Sequence, residues 1–101
     1  MMTSASRGWL PPLAKRIDRA TRWLRATPGA VQGQQGSNRT FAAAQALVNG
    51  FCLDEHTALM LLLDIYNPKC VPPWSKSELQ HKVTDAFNKP CNKSRGWFFH
   101  V

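Results

Sequence analysis

Apolar positions recur at helical spacing in four stretches of the chain, and Pro, Gly and Asn punctuate them. After Pro11-Pro12, which suit the first turn of a helix, Leu13, Ile17, Ala20 and Leu24 fall on one face at spacings of four, three and four. That helix is predicted to run from Leu13 to about Ala26 and to break at Thr27-Pro28-Gly29. A second is expected from an N-cap at Ser37 or Asn38, through Phe41, Ala43, Ala44, Leu47 and Val48, to a stop at Asn49-Gly50. Its alanines allow close helix–helix approach.

The short link Phe51-Cys52-Leu53 leads to Asp54, a cap for a third helix over residues 55–66, with Glu55 in its first turn. Ala58, Leu59, Met60, Leu61, Leu62, Leu63 and Ile65 make this helix apolar nearly all round, except at Asp64, so it is expected to be central and buried. Asn67-Pro68 ends it. Val71-Pro72-Pro73-Trp74 reads as extended, because a residue before Pro avoids the helical region. Ser75-Lys76-Ser77-Glu78 has the form of a capping box and opens a fourth helix carrying Leu79, Val83, Ala86 and Phe87. The aromatic residues Trp97-Phe98-Phe99 are expected to pack back as a short extended segment. The pattern predicts an all-α fold: a small four-helix bundle with an extended Pro-Pro-Trp connector and a short aromatic C-terminal tail. Residues 1–12 are expected to form a flexible lead and residues 13–101 a single helical domain.

Composition adds charge to this picture. The chain has 101 residues, 13 of them Lys or Arg against six Asp or Glu, for a net charge of +7. Aromatic residues are too frequent for disorder, so the charge belongs on a folded surface, which favours an anionic partner. It is also uneven. Arg7, Lys15, Arg16, Arg19, Arg22, Arg25 and Arg39 face only Asp18 among residues 1–40, whereas cations and acids nearly balance afterwards. No run of about 18 apolar residues is present to span a membrane.

Cys52, Cys70 and Cys91 cannot all pair within one chain, and their spacing with His56, His81 and His100 matches no zinc pattern. They read as small buried hydrophobes in a reducing, cytoplasmic setting, with no metal and no cofactor expected. The Arg- and Ser-containing, acid-poor N-terminus is also what a mitochondrial transit peptide looks like.

The motifs have a familiar order. A basic helix precedes a G-x-x-G loop running into Thr40-Phe41, then Gly50-Phe51, Leu53-Asp54 and Tyr66-Asn67. Cys70, Pro72-Pro73-Trp74-Ser75 and a run over residues 78–86 complete the series. Over roughly residues 15–97 the chain resembles the helical domain that follows the catalytic module in primase–polymerase and primase–helicase proteins of plasmids, phages and some bacteria. The resemblance implies a non-enzymatic helical module that engages template DNA beside a replication enzyme, in a mobile-element context. It departs in the loop: relatives tend to read G-x-G-G-H where this chain has Gly33-Gln34-Gln35-Gly36-Ser37. The acidic motif of the catalytic module and a P-loop are both missing from the sequence.

Two anion sites follow from the residues. The outer face of the first helix, with Lys15, Arg16, Arg19, Arg22 and Arg25, suits a phosphate backbone, and Trp23 at its edge is a candidate stacking platform. The alternative is a solvated face with Trp23 partly in the core. The loop with Gly33 and Gly36, followed by Ser37, Arg39 and Thr40, suits a phosphate at a helix N-terminus; its alternative is a connector with an N-cap. Lys76, His81 and Lys82 either extend the basic surface or are solvated. Pro72-Pro73-Trp74 reads as a rigid connector rather than a ligand for a proline-recognition domain.

Glu78 and Asp85 are two turns apart on one helix and make no catalytic pair. The chain is therefore expected to be a non-catalytic binder of single-stranded or primer–template DNA, with a primase–polymerase or helicase protein as a further expected partner and no membrane contact. The alternative is a protein–protein adaptor docking on a replication or defence protein through the basic helix and an exposed aromatic tail. A nucleotide hydrolase or transferase would need an acidic metal cluster that the sequence does not display.

Overall fold

The computed structural model describes residues 10–89 and 95–99. Cys91, His100 and most of the N-terminal lead lie outside the described residues. Among the described residues four α-helices follow in order: α1 (Leu13–Ala26), α2 (Gly36–Gln45), α3 (Glu55–Leu61) and α4 (Lys76–Asn88). Among the described residues there is no strand, only an isolated parallel bridge between Val31 and Val71. The all-α class read from the periodicity is the observed one.

The extended backbone at Pro12 leads into α1, and Ala20 and Leu24 are fully buried on its inner face. Leu13, placed on that face by its spacing, is the first residue of the helix and is 45% exposed. The C-terminus of α1 is held from a distance in sequence. Lys69 Nζ donates to the carbonyls of Leu24, Arg25 and Thr27, putting a cation where the helix dipole is negative. Gly29 allows this approach, since a Cβ there would collide with the Lys69 backbone.

The second helix starts earlier than expected. Gln35 adopts a left-handed conformation (φ 58°), and α2 begins at Gly36 with no side-chain cap. Its last turn widens into a π-helical segment, Ala46–Gly50. Gly50 is therefore not a left-handed cap. Its missing side chain makes room for the tail: a Cβ would lie 2.5 Å from the Phe98 ring and 3.0 Å from Trp97.

Asp54 caps α3, accepting from the Thr57 amide at 3.1 Å and the Thr57 hydroxyl at 2.6 Å. A π-helical turn, Leu62–Tyr66, and a 3-10 turn, Asn67–Lys69, continue the helix. Only one side of this segment is buried. Ala58, Leu59, Leu62 and Tyr66 face the core, while Met60 is exposed and Leu61, Leu63 and Ile65 are partly buried. Its apolar composition overstates its burial because α1, α2 and α4 do not surround it.

The capping box of α4 is complete, with Ser75 and Glu78 bonded reciprocally. Leu79, Val83 and Ala86 are buried, but Phe87 is 47% exposed. It is one residue beyond Ala86 and so about 100° further round the helix. With Ala43, Ala44 and Leu47 of the second helix, these residues form the core. Each large aliphatic side chain fully buried there contributes about 1.5–3 kcal/mol.

The connector before α4 differs from a simple extended run, since the Val71–Pro72 peptide is cis. Asn67 brackets Trp74, donating to its carbonyl at 2.9 Å and accepting from its amide at 2.8 Å. The aromatic tail does pack back, but as a 3-10 turn, Trp97–Phe99, rather than an extended segment. Gly96 donates to the Asn49 carbonyl at 2.6 Å, and Phe98 stacks on Phe51 with centroids 4.1 Å apart.

Candidate nucleic-acid interface

The face of α1 opposite Ala20 and Leu24 carries Lys15, Arg19, Arg22 and Arg25, all exposed. The helical repeat puts them there: once the apolar residues turn inward, intervening positions point to solvent. Asp18 is the acid of this face and meets Arg22 at 3.2 Å. Both side chains are largely exposed, so the pair is weak and leaves Arg22 available. Arg19 lies over the Phe99 ring, 5.4 Å from its centroid, which fixes its stem against the tail.

Two residues assigned to this surface turn elsewhere. Arg16 donates from Nε to the Pro11 carbonyl at 3.0 Å and from Nη1 to the Cys52 carbonyl at 2.5 Å. It braces the link between α2 and α3, where Cys52 has a positive φ of 57°. Trp23 is partly buried in an aromatic cluster, 6.0 Å from Phe51 and 5.6 Å from Phe98. The helical repeat sets Arg16 apart from its basic neighbours, since it lies four residues before the buried Ala20, but its acceptor is 36 positions away and no local pattern announces it.

At the second candidate, Gly33 has a positive φ of 87° and open space around it. Gly36 lets the start of α2 pass close to Ala30 and Val31. Ser37 and Arg39 are exposed in the first turn. Thr40 corrects the expectation that its hydroxyl faces an anion, because the residue is fully buried. It lies one turn from Gly36 on the inner face of α2. Its oxygen accepts from Trp74 Nε1 at 3.0 Å and shares a hydrogen bond with the Tyr66 hydroxyl at 3.2 Å. Burial pushes the Tyr66 phenol above its ordinary value, with the Thr40 hydrogen bond opposing the shift.

Lys82 reaches the same end of α2. It donates to Ser37 Oγ at 2.8 Å and lies 4.8 Å from the Trp74 ring centroid. It ties α4 to α2 through an exposed contact, while Lys76 and His81 are exposed on α4. The loop thus brings Gly33, Gly36, Ser37 and Arg39 to one surface and leaves Thr40 beneath it.

Glu78 is held below the usual carboxylate range by hydrogen bonds from Ser75, and Asp54 by those from Thr57. Cys52 and Cys70 are buried thiols without disulfides. Among the described residues no group of three or more His, Cys, Asp or Glu gathers as a metal site, and no helix is long and apolar enough to cross a membrane. No protein-family model, curated protein or solved structure matches the chain.

Proposed function

We propose that this chain is a non-catalytic nucleic-acid-binding helical module, engaging single-stranded or primer–template DNA beside a primase–polymerase or helicase protein. The solvent face of α1 carries this reading: Lys15, Arg19, Arg22 and Arg25 are exposed together, with Asp18 as their acid. Solubility alone does not require such a concentration of cations on one short helix. Each cation that meets a phosphate releases counterions, so affinity should fall steeply with salt. Arg39 and Ser37, at the uncapped start of α2, supply a second, smaller contact.

The adaptor reading uses the same basic helix and, in addition, an exposed aromatic tail. Phe98 instead stacks on Phe51, and Phe99 lies against Phe51 and Arg19, so these rings are engaged within the chain. That geometry favours the α1 face as the contact surface. Fluorescence anisotropy with labelled single-stranded and duplex oligonucleotides at two salt concentrations tests the proposal. Binding at low salt that weakens at high salt supports it; no binding at low salt contradicts it.

A further inference from the structure

Nucleic-acid surfaces that hold unpaired bases need flat rings on which to stack them, beside cations for the backbone. Among the described residues the α1 face has the cations without a free ring. The exposed positions of the whole helix are Leu13, Ala14 and Ala26 besides Lys15, Asp18, Arg19, Arg22 and Arg25. Trp23, the aromatic residue of α1, is turned toward Phe51 and Phe98. Phe99, at the border of the face, has the Arg19 guanidinium over its ring. The exposed face also offers no amide or hydroxyl side chain to pair with base edges. Asn, Gln, Ser and Thr are missing from its exposed positions, and Thr21 spends its hydroxyl on the Ile17 carbonyl at 2.8 Å.

The cations themselves run along the helix at intervals of four, three and three residues. With a rise of about 1.5 Å per residue they form a stripe about 15 Å long. Such a stripe follows a backbone. A duplex carries a charge about every 1.7 Å of its axis, twice the density of one strand, and displays it without any base being held.

We infer that the α1 face takes the phosphate backbone of a duplex, independently of sequence, and does not stack unpaired bases. The inference rests on the α1 face being the nucleic-acid surface, and it assigns that surface to the paired part of a primer–template rather than its single strand. Phosphate contacts position a protein and carry no sequence information.

Competition anisotropy with the full chain at low salt tests it. The labelled probe is a short DNA duplex. The competitors are an unlabelled duplex of unrelated sequence, a thymidine single strand, and an abasic single strand of equal length. The unrelated duplex should compete within about threefold of the probe sequence, and both single strands should compete more weakly than duplex and equally with each other. A thymidine strand that outcompetes the abasic strand by about tenfold or more reveals base stacking and overturns the inference. A comparable preference for one duplex sequence reveals base reading and also overturns it. Failure of the probe to bind at all removes the nucleic-acid reading itself, an outcome distinct from either of these.

Discussion

Thr40 holds two other side chains through one oxygen, that of Trp74 from the connector and that of Tyr66 at the end of the α3 segment. No buried side-chain nitrogen or oxygen among the described residues lacks a partner, and removing this oxygen would leave the buried Tyr66 hydroxyl without its Thr40 partner. Thr40→Val keeps the shape and is expected to cost about 2 kcal/mol in urea denaturation, chiefly from the unsatisfied Tyr66 hydroxyl. DNA affinity of the folded variant should be unchanged, whereas a phosphate-binding Thr40 would lose affinity. The glycines are equally position-specific. Gly50→Ala forces a methyl into the Phe98 ring and should cost about 1–3 kcal/mol through overpacking. Gly33→Ala meets open space and pays only for its positive φ, about 1 kcal/mol. Urea midpoints of the two variants would separate these causes.

At the scale of elements, the helices hold their ends by different means. The caps of α3 and α4 are local and were legible as Asp54 and the Ser75–Glu78 box. Both carboxylates have folded values below their ordinary ones, so the folded chain binds fewer protons than the unfolded chain as the pH falls into the carboxylate range. Their stabilisation is present above the unfolded values and lost as the pH drops through the folded ones. The urea midpoint should therefore decline between about pH 5 and pH 3, and the double variant Asp54→Asn, Glu78→Gln should flatten that decline. A decline of unchanged steepness would place the acid sensitivity elsewhere.

The C-terminus of α1 is held by Lys69, 45 positions from Leu24, and no local pattern announces that bond. Lys69→Met should lower stability by about 1–2 kcal/mol, read from the urea midpoint. The same distinction explains which structural expectations succeeded. The spans of α1 and α4 follow from periodicity and caps within a few residues. The partners of Arg16 and Trp23, Cys52 for the one and Phe51 and Phe98 for the other, are distant in sequence and have no local signal. Hydrophobicity identified α3 as apolar, but only packing determines which side of it is covered.

For the whole molecule, the charge asymmetry of the chain becomes an asymmetry of the fold. Lys15, Arg22 and Arg25 stand exposed on α1, while Arg16, Lys69 and Lys82 are tied to carbonyls or a hydroxyl that join one element to another. The basic composition thus serves two ends, internal bracing and a solvent-facing stripe, and sequence alone does not divide the residues between them. The most direct test is the salt dependence of duplex binding, compared between the native chain and the variant Lys15→Gln, Arg22→Gln, Arg25→Gln. If those three side chains each neutralise a phosphate, the slope of log K against log salt should become shallower by about 2.7, with weaker binding at low salt and an unchanged melting temperature. An unchanged slope and affinity would contradict the assignment of nucleic-acid binding to the α1 face.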